Sequence, residues 1–414
     1  MVNTALLVRY LGPESLGLLI TVWSTLLWGN LFNLGVTGAL VNRLAVHVAG
    51  RDEGSYRRDF GSGAVLILAI GLGLAVVLGM AILLLPLRAV FPVSDPNLVA
   101  ALPGVLSAGG MAFVSLFLSS FCYPEFAARG RLATYFRINT AASVVNCVAV
   151  ALACGLQQPL WVCAVALLVS GNLWLLLGSL WAISLRTIGE ALRAVRWGAI
   201  RELIASSKPF FLIQLSTIVL FSCDAFIIAH AQSFENVTLY SSINRLFLLG
   251  FTLAGGIIAP LYPALRSAVV KEDWTWVTGV ARRMSLSAVG FLGVLVAVGV
   301  WPIPEIAKIW LSLPAAAPWL LCVLLGLATG MRLLADVFGQ LILAAERMRT
   351  VTVVAICAPV IYLGFALLMV RVLGVIALPI AAVLAFGFSI AVAGFNVQSL
   401  LQLARAQRTE FKRK

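Results

Sequence analysis

RTIGEALRAVRWGAIRELIASSK, residues 186–208, is the only long polar stretch in a chain that otherwise passes from one apolar segment to the next. Within it Ile188, Leu192, Val195, Ile200 and Leu203 recur at roughly helical spacing, with Glu190, Arg193, Arg196, Arg201 and Glu202 between them. That pattern predicts an amphipathic helix in a membrane interface, where Trp197 and the long arginine side chains keep one end wet. The competing reading is a water-exposed connector with an apolar stripe. Either way the stretch divides the chain into an N-terminal bundle (1–185), a linker (186–208) and a C-terminal bundle (209–414).

Working outward, 62% of the 414 residues are hydrophobic and 11% are charged, with a mean hydropathy of +1.04. Such a composition excludes a water-soluble globule and predicts an all-α polytopic membrane protein. Given that a span needs about 20 apolar residues, eleven are expected. Six fall at 16–34, 63–85, 105–122, 140–156, 160–183 and 209–229, and five at 245–265, 286–301, 317–343, 351–370 and 375–392. Residues 1–10 offer about 15 Å of helix, roughly half a bilayer, as if a twelfth, first span were truncated. That stretch has no basic start and no small-residue cleavage site, so the first spans are expected to direct insertion.

The net charge of +13 would suggest nucleic acid in a soluble protein, but here its distribution follows membrane topology. Alternate connections collect Arg43, Arg51, Arg57 and Arg58, then Arg129, Arg131 and Arg137, then five basic residues of the linker. Arg266, Lys271, Arg282 and Arg283 follow, then Arg347 and Arg349, and the tail adds Arg405, Arg408, Lys412, Arg413 and Lys414. Together these are 23 of the 29 Lys and Arg residues, which puts the linker and the C-terminus in the cytoplasm. The opposite connections, such as 155–160 and 231–241, are short and carry little charge.

The halves also resemble each other. GRDEGSYRRDFGSGAVLILAIGLGLAV from Gly50 parallels KEDWTWVTGVARRMSLSAVGFLGVLVAVGV from Lys271, and AARGRLATYF from Ala127 parallels AAERMRTVTV from Ala344. Parallel repeats of this kind predict two pseudo-symmetric bundles of about six transmembrane helices around a central cavity.

LGPESLGLL from Leu11 resembles the segment after the first helix of bacterial polysaccharide exporters and lipid-linked oligosaccharide flippases. These share a superfamily with multidrug and toxic compound extrusion transporters and lipid II flippases. NLGVTGALVNRLA from Asn33, RWGAIRELIASSKPFFLIQL from Arg196, FENVTLYSSINRLF from Phe234 and APLYPALRS from Ala259 extend the likeness over nearly the whole chain. The resemblance implies two six-helix bundles whose cavity opens alternately to either face of the bacterial inner membrane. The cargo it implies is a glycan on a polyprenyl diphosphate, with membrane lipids and other polysaccharide assembly proteins as partners and no nucleic acid.

Four ionisable residues fall inside expected spans: Asp224, Arg245, Arg332 and Asp336. At roughly 2.5–3.5 kcal/mol each at mid-bilayer, four unpaired charges would cost on the order of 10 kcal/mol, so they must be paired or wet. Arg332 and Asp336, four apart, suit an ion pair on one helix face, and Asp224 and Arg245 suit a pair across a hairpin. The functional alternative assigns Arg9, Arg245 and Arg332 to a diphosphate, which a planar guanidinium binds bidentately. Asp224 or Asp336 would then take a proton or sodium ion, or tether an arginine; no other cofactor is expected. Asn30, Asn33, Asn139, Asn146, Gln214 and Gln340 suit either sugar hydroxyls or interhelical hydrogen bonds. His47 and His230 fall near span ends. The seven cysteines, free of any CxxC pair, read as small packing residues and not as metal or redox sites.

The sequence carries no Gly-rich phosphate loop, HExxH motif or nucleophile elbow. A membrane glycan polymerase or ligase is the more distant alternative, since such enzymes commonly carry a large basic external loop and the outer connections here are short and nearly uncharged. A transporter is therefore expected, not an enzyme. A cation-coupled multidrug exporter is the nearest rival, and two or three deep basic residues against two acidic ones favour an anionic cargo.

Overall fold

The computed structural model describes residues 2–411 apart from 87–89, 92, 94, 259–264, 266–267, 270–272, 312–316 and 346. Of the motif from Ala259, only Leu265 is therefore described. Helix is the dominant element throughout. Nine stretches of the described helices are long and apolar enough to cross a membrane, and a tenth, Trp197–Ser222, qualifies once its 55° bend is included. One of the nine, Arg349–Asn396, holds two helices joined by a 3₁₀ turn at Gly374–Ile376 and packed on each other. All eleven expected spans thus lie largely on helices, and residues 259–264 of the 245–265 span fall outside the described set.

Contacts divide the chain into two units, Met1–Val237 and Thr238–Lys414. In the first, α1 (Val2–Leu11) leads to α2 (Pro13–Leu27), a 3₁₀ segment (Trp28–Asn33) and α3 (Val36–Ala49). Pro13 opens α2 where its missing N–H has no helical partner to lose. Then come α4 (Glu53–Leu84), α5 (Pro96–Ser119), α6 (Cys122–Ala128) and α7 (Leu132–Gly155). The next span is α8 (Leu160–Ala164), a π-helical turn (Val165–Val169) and α9 (Ser170–Ile183). Asn146 of α7 secures that turn by donating to the carbonyls of Ala166 at 3.0 Å and Leu167 at 2.7 Å. Val36, Leu40, Tyr56, Phe60, Phe117 and Leu203 lie in the buried core. Leu72, Val76, Met80 and Leu83 lie exposed along α4, as they would against lipid hydrocarbon. Exposed Trp161, Trp181, Trp301 and Trp319 lie near helix ends, where an indole suits the interface.

The 186–208 stretch is not one interfacial helix. Its first part is α10 (Leu185–Arg193), and after a break at 194–196 its second part is the beginning of α11 (Trp197–Ser222). The two straight parts of α11 are Trp197–Lys208 and Phe210–Ser222, and Pro209 between them lacks the N–H that would continue the ladder. The expected apolar stripe is also divided. Ala191, Ala199, Ile200 and Leu203 are buried against the first unit, whereas Leu192 and Trp197 are exposed. Tertiary packing against α3 and α4 claims the buried face.

The second unit begins within α13 (Phe234–Ile258), which is followed by α14 (Trp274–Val300), α15 (Pro302–Leu311), α16 (Trp319–Ala344), α17 (Met348–Leu373) and α18 (Ala377–Phe411). Val277, Ala281, Met284 and Ala288 of α14 pack with Leu333, Val337 and Leu341 of α16.

The internal repeat is visible in local hydrogen bonding. Asp52 and Asp273 each cap a long helix by accepting from the backbone N–H three residues on, at 3.0 and 3.1 Å. The turns after α6 and α16 share backbone hydrogen bonds among the described residues. Arg131 N donates to Phe126 O at 2.7 Å and Arg347 N to Ile342 O at 3.1 Å, while Thr134 N donates to Arg131 O and Thr350 N to Arg347 O. The equivalence is Arg131 with Arg347, one residue away from the alignment that matches Ala127 with Ala344.

Candidate functional site

Glycines on α16 determine where its charged residues lie. A Cβ on Gly326 would fall 2.6 Å from the Leu295 carbonyl oxygen of α14, and one on Gly330 would fall 2.7 Å from Leu292 Cβ. These two glycines, four apart, let the backbones approach as small residues do between membrane helices. Two residues beyond Gly330, the Arg332 guanidinium carbon lies 3.9 Å from the centroid of the Phe251 ring on α13. This is a cation–π contact, worth about 2 kcal/mol or more when desolvated. Asp336 follows one turn later and is exposed, while Arg332 and Arg245 are half-buried. The structure thus places Arg332 and Asp336 on one helix and Arg245 on the helix that carries Phe251. Phe251 is the partner that sequence reasoning missed, because an aromatic in an apolar span has no distinguishing local signal.

Arg9 and Asp224 lie in the first unit. Arg9 is exposed on α1. Asp224 is the first residue of α12 (Asp224–Ala231), after the break at Cys223. Nearby, Trp28 Nε1 donates to Ser222 O at 3.3 Å, and the Trp28 and Phe226 rings lie 5.6 Å apart. Gln214 donates to Asn30 O and accepts from Gly35 N at 3.1 Å. Asn33 donates to Thr37 and Ser120 hydroxyls at 2.9 and 3.2 Å. Of the two readings of these amides, interhelical bonding is the one this geometry displays for Asn33, Asn146 and Gln214.

A second polar cluster lies at the basic end of the first unit. Asp59, only 2% exposed, accepts from Arg43 Nε at 2.8 Å and Arg58 Nε at 3.0 Å, and His47 Nε2 lies 2.9 Å away. Arg43 also reaches Glu202 at 3.0 Å. Beside it, Arg129 pairs with Glu125 at 3.1 Å and lies 4.4 Å over the Tyr56 ring. Outside the spans, Glu190 of α10 bonds Arg186 at 2.9 Å and Arg57 of α4 at 3.2 Å. The Arg186 hydrogen bond and the Arg57 charge hold its carboxyl below the usual glutamate range. Read for topology alone, these arginines gave no sign of their carboxylate partners. Asp59, directly after Arg57 and Arg58 at the start of a span, was the available signal. Among the described residues no group of three or more His, Cys, Asp and Glu side chains is placed to hold a metal ion.

Comparison with solved structures turns this geometry into a fold assignment. An inward-facing multidrug resistance MATE family transporter of the MOP superfamily superposes with a TM-score of 0.73 at 15% identity, covering 97% of this chain and 94% of its own. The lipid II flippase MurJ in an inward closed conformation gives 0.66 at 12% identity, with 96% and 84% covered. The chain has the fold of the MOP superfamily transporters. A MATE transporter of Vibrio cholerae, VcmN in its bent form, shares it as well, at a TM-score of 0.61 and 15% identity over 98% of this chain and 92% of that one. No protein-family model matches the chain, and neither does any curated protein sequence. The MOP fold therefore rests on structure.

Proposed function

We propose that this MOP-fold protein is a flippase that moves a polyprenyl-diphosphate-linked oligosaccharide from the cytoplasmic to the external leaflet by alternating access. The observation that carries this reading is Arg332, a guanidinium inside a membrane span, 3.9 Å from the centroid of the Phe251 ring. A charge kept at such cost is a functional residue by default, and a guanidinium is the side chain suited to bidentate phosphate oxygens. Arg245 and Arg9 would add to the positive field, and Asp336 or Asp224 would couple transport to H⁺ or Na⁺ or hold an arginine between cycles. We place the protein in the bacterial inner membrane with its C-terminus cytoplasmic, working with membrane lipids and other polysaccharide assembly proteins.

The test compares lipid extracts of cells with and without the gene by mass spectrometry, in a strain with active glycan synthesis and no redundant flippase. A polyprenyl-diphosphate oligosaccharide accumulating only in the deletion supports the reading and identifies the glycan. Its absence favours the second reading, a cation-coupled multidrug exporter, for which exposed Asp336 supplies a carboxylate on the same helix.

A further inference from the structure

The turn between α7 and α8 carries a cysteine on each side. Cys154 lies in the last turn of α7 and Cys163 near the end of the short helix α8. Cys154 O accepts from Gln157 N at 3.1 Å, Gln158 N donates to Ala153 O at 3.0 Å, and Cys163 N donates to Pro159 O at 3.1 Å. The Cys163 thiol in turn donates to Gln158 O at 3.5 Å. Both residues therefore hang on one tight turn, across which α7 and α8 pack on each other. Each is a free thiol; Cys163 is fully buried and Cys154 half-buried. The bias of basic residues puts this turn on the outer face, where the bacterial envelope is oxidising.

We propose that Cys154 and Cys163 are a disulfide-forming pair that clamps the outer turn between α7 and α8. The oxidant is a disulfide-bonded protein of the outer compartment. The more accessible Cys154 thiolate attacks one sulfur of that disulfide, forming a mixed disulfide and releasing the first donor thiolate, which takes up the Cys154 proton. Cys163, giving its proton to solvent, then attacks Cys154 Sγ and expels the second donor thiolate, which is protonated in turn. Two thiols of this chain are oxidised and one donor disulfide is reduced to two thiols. The bridge acts on α1 as well. Gln158 O also accepts from the Tyr10 hydroxyl at 2.9 Å, so fixing this turn fixes the carbonyl on which α1 docks. This inference rests on the proposed membrane and topology, and not on what the protein transports.

The experiment uses the full chain in native membranes, denatured in N-ethylmaleimide before proteolysis and mass spectrometry. The expected result is a Cys154 peptide linked to a Cys163 peptide, lighter by two hydrogens than the two free peptides and released by dithiothreitol. Cys122, Cys147, Cys223, Cys322 and Cys357 should be alkylated in the same sample. C154S should make Cys163 alkylable, while C147S should leave the bridge in place. Alkylation of both Cys154 and Cys163 even after the membranes are treated with diamide would overturn the proposal. So would a bridge from either residue to any other cysteine.

Discussion

Over the Phe251 ring, Arg332 meets an aromatic face, and this separates its role from that of a generic positive charge. A lysine would retain the charge but lose the planar guanidinium and its fork of donors. Arg332→Ala is therefore expected to lower the flipping rate in proteoliposomes by at least about tenfold, and Arg332→Lys to recover only part of it; wild-type rates in both would remove Arg332 from the mechanism. Asp59 is the opposite case, a buried carboxylate that neutralises Arg43 and Arg58 beside His47. Asp59→Asn leaves those cations facing one another, and an apparent stability loss of about 3 kcal/mol is expected in detergent unfolding. The charged residues themselves were legible in the sequence, because an ionisable group inside an apolar run is conspicuous. Their partners were not, since Arg43 and Asp59 lie on different helices that only packing brings together.

At the scale of elements, close contact between α14 and α16 depends on Gly326, which leaves no space for a methyl group beside the Leu295 carbonyl. Gly326→Ala should force the helices apart and displace Arg332 from Phe251. It is expected to reduce transport along with thermal stability, whereas Gly339→Ala on the same helix, where a Cβ meets nothing within 4 Å, should affect neither. Helix α10 is attached differently, by Glu190 to Arg57 of α4 as well as by its buried Ala191. Because its neighbours lower the Glu190 pKa, the folded protein binds that proton less readily than the unfolded chain. The attachment is thus complete above the ordinary glutamate range and is lost as pH falls through the lowered value. Hydrogen exchange of α10 should accordingly rise on acidification, and Glu190→Gln should remove that pH dependence. The amphipathic spacing of 186–208 was readable, but not its division. Apolar periodicity records which residues avoid water without distinguishing lipid from protein, and the break at 194–196 is set by docking onto α4.

For the whole molecule, the one-sided distribution of basic residues makes a topological prediction. Single cysteines placed at 186–196 in a cysteine-free background should be labelled by a membrane-impermeant maleimide only after the membrane is opened, and those at 156–159 should be labelled in intact cells. The reverse pattern would invert the proposed direction of transport. At this scale the repeat is also firmer than its sequence suggested. Identical turn hydrogen bonds relate Arg131 to Arg347 and Thr134 to Thr350, although the side chains around them have diverged.

The amino-acid sequence by itself determined that this is a helical, multi-pass membrane protein with eleven apolar spans and a doubled plan. Hydrocarbon demands long apolar runs whose backbone bonds are satisfied locally, and that demand is written along the chain. Tertiary structure alone decided which polar groups meet: Arg332 with Phe251, Asp59 with Arg43 and Arg58, and Asn146 with the π-helical turn. Those pairings join helices distant in sequence or depend on a particular turn, and their energies come from close packing and shared hydrogen bonds that residue order does not specify.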